Sequence, residues 1–203
     1  MTGYWNAELE TRPWAEVERW QVAQIEAFVQ GLPARSKMYA RLLAGAPKTL
    51  RGFDALSELP FTMKSDVRGA QDRTSVEHPF GDNQGASTRE IVQTLSSSGT
   101  TGRPMYYALT AADLERWSDA IAQGWHTAGL RPEDLVAHLV ALPGVAGGLP
   151  YADGFRRLGA TLCWIGGFPT ERILRELGDL RITTLLATTS FGTYLAEQWE
   201  AVG

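Results

Sequence analysis

The chain has 203 residues, 44% of them hydrophobic, and a formal net charge of −4 at pH 7. This composition is that of a globular protein and excludes a disordered chain. The small net charge gives no electrostatic reason to expect nucleic acid or an anionic membrane as a partner. The sequence predicts no signal peptide and no membrane-spanning stretch, and its single cysteine excludes an intramolecular disulfide, so a cytoplasmic protein is expected.

The first part of the chain, about residues 1–80, is predicted to be a helical lead-in with breaks. Thr11 is the expected N-cap of a helix that Gly31 and Pro33 would end. A short helix is expected over residues 38–43, and Thr62 is the expected cap of another.

From residue 89 onward, segments rich in β-forming residues alternate with segments of helical periodicity. Strands are predicted at 90–95, 105–109, 136–142, 161–165 and 183–187. Helices are predicted after Thr110, after the turn 144–148, after Thr170 and from Tyr194. This alternation predicts an α/β layered fold with a largely parallel sheet flanked by helices and preceded by a helical N-terminal region.

A loop rich in serine, glycine and threonine joins the first two predicted strands, and it is called the Ser/Gly/Thr loop (Ser96–Pro104) below. Its glycines let the backbone approach an anion closely, its N–H and hydroxyl groups can donate hydrogen bonds, and Arg103 offers a permanent charge to phosphate oxygens. It is not a Walker P-loop, because Gly-Lys-Ser/Thr is absent and no helix directly follows. By composition alone, a surface hairpin of turn-forming residues explains the loop equally well.

The order Ser-Ser-Gly-Thr-Thr-Gly-Arg-Pro closely resembles the signature loop of the adenylate-forming superfamily, which includes acyl-CoA synthetases, luciferases and adenylation domains. In that family the loop wraps the phosphates of ATP. The resemblance implies that the phosphate-binding residues are Ser97, Ser98, Gly99, Thr100, Thr101, Gly102 and Arg103. The family often has lysine where this chain has Arg103, a difference that keeps the positive charge.

Flanking segments resemble the phenylacetate–CoA ligase branch of this superfamily. Residues 59–68 are similar to its Leu-Pro-x-Thr-x-Lys-x-Asp-Leu-Arg segment, and residues 78–81 to its Tyr-Pro-Phe-Gly. Glycines further along fit the spacing of the branch. The resemblance implies that residues 1–203 are a partial N-terminal, AMP-binding domain, with its helical lead-in at about 1–80 and its α/β part at about 89–203.

The resemblance also implies a reaction. ATP, Mg²⁺ and coenzyme A would serve as co-substrates in activating a carboxylic acid, of the aryl or aryl-acetic class, to an acyl-adenylate and then a thioester. The residues implied for the acid pocket are Leu142, Val145, Gly147 and Gly148. Leu142 and Val145 stand where the aryl-acid ligases tend to carry aromatic residues, so the acid need not be phenylacetate.

Several parts that the family needs have no match before Gly203: a Tyr-Gly-x-Thr-Glu-like segment, an acidic residue for the ribose, and a C-terminal domain with its lysine. We therefore expect a fragment of a longer enzyme, with no catalytic residue assigned and with self-association or a homodimer allowed. One alternative is a non-catalytic nucleotide- or partner-binding module derived from such an enzyme. Another is an unrelated α/β domain whose loop is an ordinary turn.

The remaining reactive residue types favour structural roles. Cys163 lies in an apolar predicted strand with no basic neighbour in sequence, which favours a buried structural thiol over a nucleophile. His78, His126 and His138 show no metal-ligand spacing with each other or with the cysteine, so no metal site is predicted. His138 is expected to be a hydrogen-bonded core or edge residue.

Overall fold

The structure is a computed structural model that describes residues 3–97, 104–141 and 144–202. The chain divides into two compact units, one formed by Asn6–Ala111 and the other by Met1–Trp5 with Ala112–Gly203. They are called the N-terminal unit and the C-terminal unit. The boundary marks where few contacts join the two parts of the chain. The assignment of the whole chain to one partial AMP-binding domain stays a prediction.

The N-terminal unit begins with helices. They are α1 (Ala7–Glu10), α2 (Trp14–Arg35), α3 (Lys37–Leu42), a 3₁₀ helix (Phe53–Glu58) and α4 (Lys64–Gln71). The expected end of α2 at Gly31 and Pro33 is wrong, because Pro33 lies within its last turn and the helix continues to Arg35. A proline there removes only one donor, and the Ser36 N–H still donates to Leu32 O at 2.9 Å.

Thr11 is not an N-cap. It follows α1 as the C-cap, where its hydroxyl donates to Ala7 O at 2.6 Å, while Asn6 caps the start of that helix. The helix after Thr62 begins at Lys64, where the Asp66 carboxylate accepts from the Met63 N–H at 2.7 Å. The helix that Thr11 was expected to cap is α2, whose N-cap residue, Pro13, makes no side-chain cap hydrogen bond, whereas the start of α4 is held by Asp66 and not by Thr62.

A two-stranded antiparallel hairpin completes this unit. Strand β1 (Ile91–Ser96) pairs with β2 (Tyr106–Thr110), and Ser96 lies opposite Tyr106 at the mouth of the Ser/Gly/Thr loop. The register shifts between Ile91 and Gln93, a bulge in the hairpin. These two strands thus pair with each other and not with the parallel strands that follow.

The C-terminal unit is a parallel α/β layer. Its elements are α5 (Ala111–Thr127), β3 (Leu135–His138), α6 (Leu149–Leu158), β4 (Thr161–Trp164), α7 (Thr170–Asp179), β5 (Thr184–Leu186) and α8 (Thr189–Val202). In the described residues the strand order is β4-β3-β5, with both pairings parallel. Helix α6 is the crossover between the neighbours β3 and β4, and α7 connects β4 to β5 on the other side of β3.

Both faces of this sheet are covered. Successive side chains of a strand point to opposite faces, so Val136 and Ala137 enter different cores. Val136 packs with Phe155 of α6 and residues of α5, whereas Ala137 packs with Ile173 of α7 and Leu195 of α8. The α/β fold class with a helical N-terminal region is confirmed by this architecture and by the structural neighbours given below.

Across the described parts of the chain, no helix combines the length and the apolar character needed to cross a membrane.

Candidate functional site

The ends of the Ser/Gly/Thr loop are tied together at its base. The Ser97 N–H donates to Met105 O at 2.9 Å, and the Met105 N–H donates to Ser97 Oγ at 3.0 Å. The predicted phosphate-binding residues Ser98, Gly99, Thr100, Thr101, Gly102 and Arg103 lie outside the described residues. Ser97 is therefore the one member of that set with a described position, and its hydroxyl still has a proton to donate.

A residue that the sequence did not single out, Gln71, holds the far side of this base. Its side chain is 4% exposed. Its Nε2 donates to Pro104 O and its Oε1 accepts from the Tyr106 N–H, both at 3.0 Å. Gln71 is the last residue of α4 (Lys64–Gln71). This helix begins within residues 59–68, the segment with the Leu-Pro-x-Thr resemblance, and it positions the amide beside the loop.

The end of α4 is itself fixed by Asp82, which follows the His-Pro-Phe-Gly segment. The Asp82 N–H donates to Ala70 O at 2.9 Å. Oδ2 of Asp82, a residue 9% exposed, accepts from both Arg73 and Arg41 at 2.7 Å. Hydrogen bonds from Arg73, then from Arg41, hold the pKa of the Asp82 carboxyl below its usual 3.8. The carboxylate is therefore ionised and paired near neutral pH.

Gly81 makes this close approach to α4 sterically feasible. Its φ is +88°, and a Cβ at this position would lie 2.3 Å from Ala70 O. No residue with a side chain fits here without moving the backbone. The glycine of the His-Pro-Phe-Gly segment thus brings Asp82 against the helix that carries Gln71.

An open cavity of about 210 Å³ lies beside the loop base. It is lined by Arg68, Gln71, Asp72 and Pro104. Arg68 belongs to the segment that resembles the phenylacetate–CoA ligase branch. The cavity is thus lined by the guanidinium of Arg68 and the carboxylate of Asp72, next to Pro104 at the end of the Ser/Gly/Thr loop.

The candidate acid-pocket residues fall in the C-terminal unit, after β3. Leu142 lies outside the described residues. Val145 and Gly148 form a turn in which the Gly148 N–H donates to Val145 O at 2.9 Å, and Gly148 is the N-cap of α6. Val145 and Gly147 are half-buried, while Gly148 is buried. Ser97, in contrast, belongs to the N-terminal unit.

His138, at the carboxyl end of β3, supports this turn. Its Nε2 lies 3.2 Å from Gly148 O, and its ring stacks on Trp164 with centroids 4.4 Å apart. The indole Nε1 of Trp164 donates to Val140 O at 2.9 Å, which also fixes the chain leaving β3. The sequence predicted a core or edge residue at His138, and its full burial in the central strand β3 shows that the core alternative holds.

The expectation that His138 is hydrogen-bonded is correct for only one of its two ring nitrogens. A carbonyl oxygen can only accept, so Nε2 must carry the proton, and Nδ1 has no hydrogen-bond partner among the described residues. Burial lowers the pKa of the imidazole from 6.5, opposed by the carbonyls of Gly148 and Gly147. The ring is therefore a neutral donor to the Gly148 turn.

Cys163 and the acidic residues provide no competing site. The Cys163 thiol is half-buried in β4, and burial followed by the nearby Glu176 charge raises its pKa from 9.0. A raised pKa lowers the thiolate fraction, which fits the predicted structural role. Within the described ranges, no group of three or more His, Cys, Asp or Glu side chains could hold a metal ion.

Sequence relatives of the chain have one name in common. It is 31% identical over 202 residues to the phenylacetate-coenzyme A ligase of Thermus thermophilus, covering 98% of this chain and 44% of that protein. It is 27% identical over 195 residues to the Escherichia coli protein of the same name, covering 95% and 43%. The chain thus spans less than half the length of these curated relatives. No protein-family model matches it.

Solved structures of 2-hydroxyisobutyryl-CoA ligase have the same fold. The complex with 2-HIB-AMP and CoA in the thioesterification state gives a TM-score of 0.88 at 27% identity, covering 97% of this chain and 42% of that one. An open conformation with the same ligands gives 0.87 at 25% identity, covering 97% and 46%. The sequence relatives and the solved structures agree, and this chain fits an N-terminal portion of a phenylacetate–CoA ligase-like protein.

Proposed function

We propose that the protein containing this chain is an AMP-forming acid–CoA ligase, and that this chain supplies its phosphate-binding loop. The observation that carries the proposal is the Ser/Gly/Thr loop, which has the superfamily's residue order and is closed at its base by Ser97 and Met105. The named relatives and the ligase structures bound to 2-HIB-AMP and CoA support the same assignment.

The proposed reaction has two balanced steps. A carboxylate oxygen attacks the α-phosphorus of ATP, and pyrophosphate leaves. The sulfur of coenzyme A then attacks the acyl carbonyl, AMP leaves, and the thiol proton passes to solvent. The acid is already ionised near neutral pH, so the first step needs no general base. It needs donors and positive charge aimed at the phosphates, which the loop's N–H groups, hydroxyls and Arg103 would supply.

Mg²⁺ would enter this reaction bound to the phosphates of ATP. Mg²⁺ usually keeps several waters and is held in proteins by one or two carboxylates together with the phosphates of the substrate.

For the acid, we propose the aryl or aryl-acetic class. Its support is the name shared by the sequence relatives. Leu142 and Val145 stand where the aryl-acid ligases tend to carry aromatic residues, so the proposed acid need not be phenylacetate itself. The half-buried Val145–Gly148 turn, held by His138, is the proposed wall of the acid pocket.

Acid-dependent exchange of labelled pyrophosphate into ATP tests the proposal in the protein at its native length. Exchange with one or more aryl acids is expected. In the variant Arg103→Glu the KM for ATP should rise at least about tenfold, whereas Arg103→Lys, which keeps the charge, should stay close to wild type. Folded protein that binds ATP but gives no exchange across a broad acid panel would favour the alternative, a non-catalytic nucleotide-binding module.

A further inference from the structure

The backbone that leaves the Ser/Gly/Thr loop is held on both of its edges. On the inner edge, Met105 exchanges hydrogen bonds with Ser97. On the outer edge, Pro104 O and the Tyr106 N–H both meet the amide of Gln71 at 3.0 Å. Pro104, the last residue of the loop, and the two residues after it thus have backbone polar groups held by the side chains of Gln71 and Ser97 and by the Ser97 N–H.

The chemistry of this outer contact is specific to a primary amide. Pro104 O needs a donor and the Tyr106 N–H needs an acceptor, and a carboxamide presents both in one plane. Gln71 therefore replaces the peptide group that a neighbouring strand would provide along this edge. Its 4% exposure leaves little water to compete for either bond.

The end of α4 that carries the Gln71 amide is held in place by hydrogen bonds. Gln71 follows Ala70, whose carbonyl accepts from the Asp82 N–H at 2.9 Å, and Asp82 is held by Arg41 and Arg73. A side chain on a loose helix end could follow a moving loop, whereas this one holds residues 104 and 106 in place. The position of the loop's C-terminal flank is thus set by α4.

We propose that Gln71 is a positioning residue for the Ser/Gly/Thr loop, holding its C-terminal flank in the geometry that binds a nucleoside triphosphate. This inference rests on the proposed function. It assigns Gln71 no contact with the nucleotide, and its effect passes through Pro104 and Tyr106. Removal of the amide lowers ATP affinity by releasing this flank.

Gln84 provides a matched control in the same unit. It is also buried, at 5% exposure, and its amide also bridges backbone groups, donating to Ala86 O at 2.9 Å and accepting from the Phe80 N–H at 3.3 Å. Among the described residues, its hydrogen bonds go to residues 77, 80, 86 and 88 and not to the flanks of the loop. Replacing it therefore reports the general cost of losing a buried glutamine.

The experiment compares Gln71→Met, Gln71→Glu and Gln84→Met in the protein at native length. Gln71→Glu keeps the acceptor for Tyr106 but sets a carboxylate against Pro104 O. Calorimetry with ATP and Mg²⁺ gives the Kd, thermal unfolding gives Tm, and hydrogen exchange follows the Tyr106 amide. Both Gln71 variants should raise the ATP Kd about tenfold, and Gln71→Met, which also removes the acceptor, should speed exchange at Tyr106. Gln84→Met should lower Tm without either effect.

Each failure has a distinct meaning. Unchanged ATP affinity in folded Gln71 variants, with tight binding by the wild type, would overturn the role of Gln71 alone. If Gln84→Met lost as much ATP affinity as the Gln71 variants, the loss would be explained by general destabilisation, and the positioning role of Gln71 would be overturned. If the wild type neither binds ATP nor exchanges pyrophosphate, the proposed function fails and this inference fails with it. If Gln71→Met does not fold, the ATP Kd of Gln71→Glu decides, because that variant keeps the acceptor for Tyr106 and loses only the donor to Pro104 O.

Discussion

His138 and Trp164 lie directly opposite each other on the parallel strands β3 and β4, and their rings stack with centroids 4.4 Å apart. The stack leaves the imidazole fully buried, with Nε2 directed to Gly148 O and Nδ1 without a partner among the described residues. A neutral histidine is the form that such an apolar position favours, because charging it there would cost desolvation.

The first prediction follows from this burial. The pKa of His138 is below 6.5 in the folded protein, so the unfolded chain binds more protons as the pH falls through 6.5. Stability must therefore decrease over that range and level off once the folded imidazole also titrates. His138→Gln should lose less stability between pH 7 and pH 5.5 than wild type in urea unfolding followed at several pH values. Equal losses in the two proteins would contradict the prediction.

Asp82 gives a pH dependence of the same direction as His138, because its folded pKa is also lowered, but in a more acidic range. Its folded pKa lies below 3.8, so its ion pairs stabilise the protein above that value, and their contribution is lost as the pH falls through the folded pKa. Asp82→Asn should destabilise the N-terminal unit at pH 7 by about 1 kcal/mol, a low value because both arginines are half-exposed. Thermal unfolding at pH 7 and pH 3 should show the difference shrinking in acid.

Asp153→Asn is the control for that measurement. Asp153 pairs with Arg156 one turn along α6 at 2.8 Å, on a partly exposed helix face. Such a pair contributes only about 0.3–0.5 kcal/mol. If Asp153→Asn destabilised the protein as much as Asp82→Asn, the network around Asp82 would have no special role in holding α4.

Gly81 should tolerate no side chain. Its left-handed φ of +88° is strained for alanine, and the new Cβ would lie 2.3 Å from Ala70 O. Gly81→Ala should reduce the free energy of unfolding by about 2 kcal/mol or more. Gly85→Ala is the matched control, since its nearest neighbour would be Arg35 Cβ at 3.9 Å. Denaturant midpoints that moved equally in both variants would argue against the close approach of the Gly81 turn to α4.

The sequence predicted the elements whose signal is local. Ile91–Leu95 and Thr161–Ile165 contain runs of β-forming residues, and strands lie there. The alternation of strand and helix correctly predicted the parallel layer. It could not show that β1 pairs antiparallel with β2, because strand–helix order does not specify which strands pair.

The support of the loop could not be predicted for the same reason. Gln71 is 33 residues from Pro104 along the chain, and Asp82 is 41 residues from Arg41. A glutamine at the end of a short polar helix has the pattern of a solvent-exposed residue, although here it is buried. Resemblance identified the loop, whereas the residues that hold it were visible only once tertiary contacts brought α4 to the hairpin.

Cys163 offers the last prediction. Burial, followed by the charge of Glu176, raises the pKa of its thiol above 9.0, so its thiolate fraction at pH 8 is smaller than that of a free cysteine. Alkylation by iodoacetamide, followed by mass spectrometry, should be several-fold slower in the folded protein than in urea. Glu176→Gln should speed it only slightly, because burial is the larger cause. Equal rates with and without urea would mean that β4 does not shield this thiol, and the structural role inferred for it would be wrong.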